Sequence, residues 1–333
     1  MLTGGEIRIP MSKYGNVRMK IFVIGYKNMG ESIIILFLDK GRNNEVLYSV
    51  VVDSFIYGRS KRKVNKTDEI LREYGVENLS CLIWTHPHLD HTKGLKHIIQ
   101  KYCRFNTPIY IPPHFYNVYN DLIMVTGKEN RQIVNDLFAL NRLTKDRVSR
   151  PIVSPRKYTN LDQVLLEGFS DSMHINLDAV APYSSILDDY VNQDKHNLNP
   201  NMVSIAFILS VDNYYFFFGG DTINEHIDKM NPAYLQKCVF VKIPHHASPT
   251  AGHLAALLDK DILENVCATQ FKAGKSNLPN SNVLNTYANI ANHVIVTGDN
   301  TQKSANYGMV EYDCGFDKGL NTNIYMYGNA HEI

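Results

Sequence analysis

Cysteine is scarce in this sequence, and the cysteines that occur follow no metal-binding or redox pattern. Five cysteines are scattered over the 333 residues, an odd number without a CxxC pair. This distribution argues against a disulfide framework and against a zinc site built from thiolates. We therefore expect a protein of the reducing cytoplasm.

Long apolar runs and an excess of one charge are also missing. The longest apolar run, residues 33–38, is far too short to span a bilayer, and the N-terminus has no apolar segment of the signal-peptide kind. We expect neither export nor membrane anchoring. The 34 basic and 33 acidic side chains nearly cancel, so a nucleic acid or membrane partner would have to be recognised by a local patch.

Two catalytic motifs are absent as well. The sequence contains no Gly-x-Ser-x-Gly elbow, which argues against a serine hydrolase of that type. It also contains no Walker-type phosphate loop, which argues against an NTPase.

The chain is long and apolar enough to bury a large core. Its hydrophobic content of 44% fits one large domain, or one domain with an insertion. We expect residues 1–18 to form an N-terminal arm or edge strand and residues 19–333 to form the domain. Strand-like runs at 19–26, 32–38 and 46–52, separated by turn residues, predict an antiparallel meander. Residues from about 114 to 158 predict a basic helical insertion that could overhang a site.

Four possible metal ligands follow a short buried strand. The apolar residues Leu82 to Trp84 are predicted to form the strand. The chain then turns into a helix, and His86, His88, Asp90 and His91 lie at this turn. Imidazole and carboxylate at this spacing suit Zn²⁺ or a similar divalent ion. The alternative is a histidine-rich surface loop.

Two later strands also end in possible ligands. Residues 203–209 and 214–218, separated at Asn213, predict a hairpin that leads through two glycines to Asp221. The glycines allow the backbone to approach the site closely while the carboxylate projects into it. The strand at 239–243 leads to His245 and His246. An earlier strand ends at Asp53, where a hydrogen-bond partner of a metal-bound histidine would sit. The equal alternative is an aspartate that caps a helix or forms a turn. We interpret the ligand-bearing strand ends as one metal site.

These motifs together resemble the metallo-β-lactamase superfamily, and within it the hydrolase domain of the competence protein ComEC and related stand-alone hydrolases. The resemblance rests mainly on three segments, residues 86–91, residues 219–221 and residues 242–248. It also includes a glycine-acid-small motif at residues 30–32 and the strand-end Asp53. It implies an α+β fold, a four-layer αβ/βα sandwich with the metal at the shared edge of two sheets. It also implies these roles: His86 and His88 on a first metal, Asp90 and His91 on a second, Asp221 bridging both, His245 completing the second site, and His246 either supporting the metal ligands or contacting substrate.

The sequence departs from the superfamily at the first metal. The third imidazole usually comes from the segment before the strand that leads to the bridging Asp, and Asn201 stands near that position. The first site could thus be weak or completed by His196, His174 or Asn201, which leaves open whether one or two ions bind. The choice between His245 and His246 as ligand also stays open, because sequence does not distinguish adjacent histidines.

A divalent ion in such a site activates water, so hydrolysis is the expected reaction class. We expect Zn²⁺, with Mn²⁺ as an alternative, and we expect Asp90 to position the attacking water. Basic segments at 59–66 and 128–157 favour a phosphodiesterase acting on nucleic acid, DNA or RNA, or on a nucleotide-like phosphodiester. The alternatives are a carboxylic ester, lactone or amide hydrolase of the same fold and a non-catalytic metal-binding scaffold.

Overall fold

The computed structural model describes residues 6–58, 63–113, 131, 135, 152–153, 156, 159–192, 199–299 and 305–333. Two large mixed sheets and two small hairpins account for its strands. Strands and helices are numbered below in chain order.

The first sheet contains the predicted meander. Its eight strands are, in spatial order, β20 (Asn321–Gly328), β19 (Gly308–Gly315), β2 (Val17–Gly25), β3 (Glu31–Asp39), β4 (Glu45–Asp53), β7 (Cys81–Ile83), β8 (Ile109–Tyr110) and β9 (Ile152–Val153). Strands β2, β3 and β4 pair antiparallel, which confirms the meander. Strands β4, β7, β8 and β9 run parallel to one another.

The second sheet contains the predicted hairpin. Its nine strands are, in spatial order, β1 (Ile7–Pro10), β10 (Thr159–Glu167), β11 (Ser172–Ala181), β12 (Ala206–Val211), β13 (Tyr214–Phe218), β14 (Cys238–Lys242), β15 (Asn265–Ala268), β18 (His293–Val296) and β21 (His331–Glu332). Strands β12 and β13 pair antiparallel, whereas β13, β14 and β15 run parallel. Strand β1, from the predicted arm, pairs with β10 at the edge of this sheet.

Helices and hairpins complete the described structure. The helices are α1 (Lys66–Glu73), α2 (Leu89–Thr92), α3 (Leu95–Tyr102), α4 (Ser184–Asn192), α5 (Asn224–Ile227), α6 (Pro232–Leu235) and α7 (Ser281–Ala288). One hairpin pairs β5 (Ile56–Tyr57) with β6 (Val64–Asn65), and the other pairs β16 (Phe271–Ala273) with β17 (Ser276–Leu278). Most of the predicted insertion at 114–158 lies outside the described residues.

Three apolar clusters explain the layering. The first fills the space between the sheets, where Ile33 and Ile35 of β3 meet side chains such as Phe207 of β12. Because successive strand residues point to opposite faces, Ile34 of β3 belongs to the second cluster, which packs α1 and α3 on the first sheet. The third cluster packs α4, α5 and α7 on the second sheet. This is the four-layer α+β sandwich that the sequence predicted.

The chain carries the predicted ligand residues to one edge of this sandwich. Strands β4 and β7 of the first sheet, and β13, β14 and β15 of the second, all end there, and we call this edge the site edge. The five cysteines are buried and form no disulfide. Within the described residues, no helix is long and apolar enough to cross a membrane.

Candidate metal centre

The histidine motif begins directly after β7 and ends inside α2. His86 is fully buried, and His88 is the N-cap residue of α2, so the backbone turns between the two imidazoles. Asp90 and His91 lie in the first turn of that helix. Gly30 lies against this turn, where a Cβ atom would come within 2.8 Å of the Asp90 carbonyl oxygen. The strand-to-helix turn predicted from the sequence therefore exists, and it is held tightly against the start of β3.

One group of ligand atoms surrounds Asp221 Oδ2. His86 Nε2 lies 3.6 Å from this oxygen and 2.9 Å from His88 Nδ1. Burial lowers the pKa of both imidazoles, which favours the neutral form that can bind a metal ion. The three side chains bring their ligand atoms close enough together to bind one metal ion. We call His86, His88 and Asp221 the first set.

A second group of ligand atoms surrounds Asp221 Oδ1. His91 Nε2 lies 3.4 Å from this oxygen, and His246 Nε2 lies 3.8 Å from it. Asp90 Oδ2 lies 3.7 Å from His91 Nε2 and 3.3 Å from His246 Nε2. We call Asp90, His91, Asp221 and His246 the second set.

Buried polar atoms without a hydrogen-bond partner indicate whether the second set could bind a metal ion. His91 Nε2, Asp221 Oδ1 and His246 Nε2 are all buried, and none of them has a hydrogen-bond partner. Leaving such groups buried without a partner is costly. Two ligand atoms that bind one tetrahedral zinc lie about 3.4 Å apart, close to the separations found here. The residues present therefore fit a divalent ion.

The charges of the site favour a cation. Burial raises the pKa of Asp90 and Asp221, but the nearby histidines outweigh it and hold both pKa values below the usual range. Burial disfavours a charged His91, whereas Asp221, Asp90 and Asp53 outweigh it and raise its pKa. Two ionised carboxylates thus face buried imidazoles, a donor set that suits zinc.

Asp53 holds the ring of His91 in one orientation. Its Oδ2 lies 2.7 Å from His91 Nδ1 and also accepts a hydrogen bond from the Thr85 hydroxyl at 2.7 Å. The Nδ1 proton of His91 therefore points at Asp53, which leaves Nε2 free for a metal. This contact is the one expected from the strand-end position of Asp53.

His246 is oriented by a longer chain of contacts. Its Nδ1 lies 2.9 Å from the Thr269 hydroxyl, which donates in turn to the Glu31 carboxylate. Glu31 also accepts from Lys242, and both of these side chains are buried, with exposed fractions of 2% and 0%. His246 Nδ1 is thus the donor, and its Nε2 faces the second set.

The sequence interpretation gave no role to Glu31, Lys242 or Thr269. Glu31 lies in the segment 30–32 and Lys242 in the segment 242–248, both of which carry the family resemblance. Glu31 also forms a possible metal-binding group with His91 and His246. Because both of its oxygens already have partners, we interpret it as support for His246.

An unusual backbone presents the adjacent histidines. His245, His246 and Ala247 have positive φ angles of 49°, 52° and 56°. Side chains other than glycine rarely adopt this left-handed conformation, which costs about 1–3 kcal/mol per residue and is concentrated at functional sites. Consecutive left-handed residues point the two imidazoles in different directions.

His245 lies beside the first set, not the second. Its Nε2 is 4.0 Å from Asp221 Oδ2 and accepts a hydrogen bond from the Asn201 amide at 3.1 Å. The expectation that His245 completes the second site does not match this geometry, because His246 occupies that position. Of the other candidates, His174 lies beside the β12–β13 turn, at the opposite end of β13 from Asp221, and His196 lies outside the described residues.

Two glycines allow Asp221 to reach both sets. A Cβ atom on Gly219 would lie 2.6 Å from Pro244, and Gly220 adopts a positive φ of 51°. The Asp221 amide then donates to the Ser204 hydroxyl at 2.9 Å. This close approach agrees with the interpretation of the Gly-Gly-Asp segment.

A pocket opens above these side chains. Its volume is about 470 Å³, and its floor contains Asp90, Asp221, His245 and His246. The β16–β17 hairpin forms one wall. Among the described residues that line the pocket, none is Lys or Arg. Of the predicted basic loop, Arg59, Lys61 and Arg62 lie outside the described residues, and Lys63 is exposed.

Comparison with known proteins supports the fold and the first motif. Residues 48–184 match the family model of the metallo-beta-lactamase superfamily. The match includes the histidine motif at 86–91 but ends before Asp221 and the histidine pair. No curated protein matches the chain significantly. Residues 48–184 therefore match a metallo-β-lactamase domain, while the likeness of the chain to ComEC stays a prediction.

Proposed function

We propose that this protein, whose residues 48–184 match a metallo-β-lactamase domain, is a dinuclear metal-dependent phosphodiesterase. The observation behind the proposal is that the two oxygens of Asp221 face different ligand sets. Oδ2 lies 3.6 Å from His86, and Oδ1 lies 3.4 Å from His91. A carboxylate shared in this way suits two adjacent ions, and paired ions stabilise both the attacking and the leaving oxygen of a phosphoester. Nucleic acid or a nucleotide-like diester is then the substrate class.

The two adjacent histidines would serve different ions. His246, with its unpartnered Nε2 3.3 Å from Asp90, would complete the second set. His245 would join His86 and His88, in the position that the missing third imidazole leaves open. Its Nδ1 lies 2.7 Å from the Thr250 hydroxyl, and its Nε2, which lies 4.0 Å from Asp221 Oδ2, would exchange the hydrogen bond from the Asn201 amide for the ion. Zn²⁺ suits this donor set, with Mn²⁺ as the alternative.

The side chains of this protein would prepare the site for hydrolysis. A bound divalent ion supplies Lewis acidity and lowers the pKa of water. Asp90 projects its carboxylate into the pocket, where it would accept a hydrogen bond from the attacking water and orient it. Asp53 and the Thr269–Glu31 pair would keep the Nδ1 protons of His91 and His246 in place. No nucleophilic side chain is required.

A carboxylic ester or lactone hydrolase is the second candidate. The observation in its favour is the lack of Lys and Arg among the described residues of the pocket lining. A neutral ester needs no cationic side chain, whereas a phosphodiester would rely on the metal ions to offset its charge. The third possibility, a metal-binding scaffold, predicts bound metal without turnover.

Metal counting tests the ligand assignment. Wild-type protein is loaded with Zn²⁺, desalted and analysed for metal per chain, together with His246→Ala, His245→Ala and Asp90→Ala. We expect two ions per chain in the wild type and one in each of the three variants. The double variant His246→Ala/Asp90→Ala should still bind one ion, because both residues serve the same ion, whereas His245→Ala/Asp90→Ala should bind none. His253→Ala, a change at an exposed histidine paired with Asp228, is the matched control. One ion in His245→Ala/Asp90→Ala and none in His246→Ala/Asp90→Ala would reverse the assignment.

A substrate panel tests the reaction. The loaded protein is assayed with bis-p-nitrophenyl phosphate, single-stranded DNA, a cyclic nucleotide and a lactone. We expect diester cleavage that Asp90→Ala abolishes while the fold remains intact. Lactone hydrolysis without diester cleavage would favour the second candidate. Two bound ions and no turnover of any substrate would favour the scaffold.

A further inference from the structure

The β16–β17 hairpin stands outside both large sheets, beside the candidate metal centre. Phe271 pairs with Leu278, and Ala273 pairs with Ser276, so these four side chains share one face of the hairpin. Phe271, Ser276 and Leu278 line the pocket above the second set. This face is therefore the inner face of the hairpin.

The opposite face of the hairpin has a different character. Lys272 pairs with Asn277, and both side chains are exposed. The alternation of strand residues points them away from the inner face. The basic residue of β16 is therefore directed away from the pocket, whereas an aromatic and an aliphatic side chain face it.

The other apolar lining residue is Leu89. It lies between His88 and Asp90, and 40% of its surface is exposed even though it lines the same pocket. Leu89 belongs to none of the three apolar clusters of the core. Leu89, Leu278 and Phe271 thus place apolar surface around the carboxylates and imidazoles of the floor.

Phe271 also connects the hairpin to the candidate ligands. Its ring stacks on the imidazole of His246, with 4.9 Å between the ring centres and 19° between the planes. A group bound against the hairpin would therefore lie next to the second set. Such proximity allows one ligand to touch both the ions and the apolar surface.

We propose that Leu89, Phe271 and Leu278 form a subsite for a neutral planar group. This group would be attached to the phosphate whose ester bond is hydrolysed. This proposal rests on the proposed function and narrows its substrate class. A nucleoside or an aryl ester has the required chemistry, since a planar group can pack on apolar and aromatic side chains without a counter-charge. The substrate is then a small nucleotide-like diester, and the pocket does not track a long phosphate backbone.

Ligand binding tests the subsite without requiring turnover. Zinc-loaded protein is titrated in a calorimeter with methyl phosphate, phenyl phosphate and thymidine 5′-monophosphate. The three probes share a phosphate head group and differ in the neutral group attached to it. We expect phenyl phosphate to bind at least about tenfold more tightly than methyl phosphate, since one stacked ring contributes about five- to a hundredfold. The thymidine probe distinguishes a nucleoside site from a general aryl site.

Matched variants locate the preference on the pocket walls. Leu278→Ala changes the hairpin and Leu89→Ala changes α2, and neither alters a candidate metal ligand. Each should remove most of the preference for phenyl over methyl phosphate, with the zinc content unchanged. Asn277→Ala, on the outer face next to Leu278, should keep the preference. Equal affinities of the two probes for wild-type protein, or unchanged preference in both leucine variants, would overturn the subsite.

Probe binding and diester cleavage together test the subsite and the proposed function separately. Loaded protein that prefers phenyl phosphate but cleaves no diester would refute the phosphodiesterase and keep the subsite. Protein that cleaves diesters without any preference among the probes would refute the subsite alone.

Discussion

Replacing Lys242 by methionine should destabilise the metal-free protein strongly. Lys242 is fully buried at the end of β14, and its ammonium pairs with Glu31 at the start of β3, which is 2% exposed. The substitution fills nearly the same volume but leaves a carboxylate buried without its counter-ion. Breaking a buried ion pair in this way costs about 3–5 kcal/mol of unfolding free energy.

A double variant distinguishes the loss of the counter-charge of Glu31 from the loss of side-chain packing. Glu31→Gln combined with Lys242→Met removes both charges, and replacing both partners of a buried pair is often close to neutral. We expect the double variant to be more stable than Lys242→Met alone. Urea unfolding of metal-free protein measures both. Arg8→Met, which breaks an exposed ion pair with Glu167, should cost no more than about 1 kcal/mol.

The double variant should regain stability but should not regain metal affinity. Glu31 accepts from the Thr269 hydroxyl, which contacts His246 Nδ1, so glutamine in its place weakens the support of that imidazole. Loss of such a partner typically lowers metal affinity about 10–100-fold. Competition with a chelating dye measures the affinity. A double variant with wild-type zinc affinity, or a Lys242→Met variant with wild-type urea resistance, would refute the reasoning.

Two further predictions concern Asp53 and Asp68. Asp53→Asn removes the charge that faces His91 Nδ1 at 2.7 Å, so zinc affinity should fall about 10–100-fold in a chelator competition, and an unchanged affinity would contradict the role of Asp53. Burial raises the pKa of Asp68, but hydrogen bonds from Lys101 and Tyr102 outweigh it and lower the pKa to about 2. Its stabilising effect should be complete above the unfolded-state pKa of about 3.9 and disappear as pH falls toward 2. The urea midpoints of wild type and Asp68→Asn should therefore differ by a constant amount above about pH 5 and converge as pH falls from about 4 toward 2.

Local patterns were sufficient to predict much of the fold. The strands β2, β3 and β4 are apolar runs separated by turn residues, and the hairpin of β12 and β13 turns at Asp212 and Asn213. The histidine motif follows its strand within a few residues, so its position at a strand end was visible without the fold. These features depend on neighbours in sequence, and the sequence carries them directly.

The C-terminal strands were not predicted, because their partners are distant in sequence. Strand β19 pairs with β2, which places Met309 opposite Ile24, and β20 forms the edge beyond it. The sequence analysis named no strand in this region, since no turn pattern links it to the N-terminal meander. A pairing across almost the whole chain is decided by packing between the sheets, which a local pattern does not contain.

The sequence did not show which ligand set each of the two adjacent histidines faces, and here the reason is different. Adjacent residues share the same local pattern, so either imidazole fits the motif equally well. The choice depends on the left-handed φ angles of His245 and His246 and on the Thr269 contact that orients His246. Thr269 belongs to another strand end, so only the assembled edge distinguishes the two rings.

At the site edge, a buried ion pair also connects the two sheets. Glu31 belongs to the first sheet and Lys242 to the second, and the candidate ligands are divided in the same way, with His91 on one side and Asp221 on the other. The buried ion pair therefore brings the two groups of ligands together before any ion binds. A bound ion would then add stability through the same contact between sheets, because a ligand that binds only the folded state raises the free energy of unfolding. Support for His246 and attachment of the sheets are thus two consequences of one pair of side chains. A single change at Glu31 or Lys242 should therefore weaken both metal binding and folding, whereas the double variant should recover folding alone.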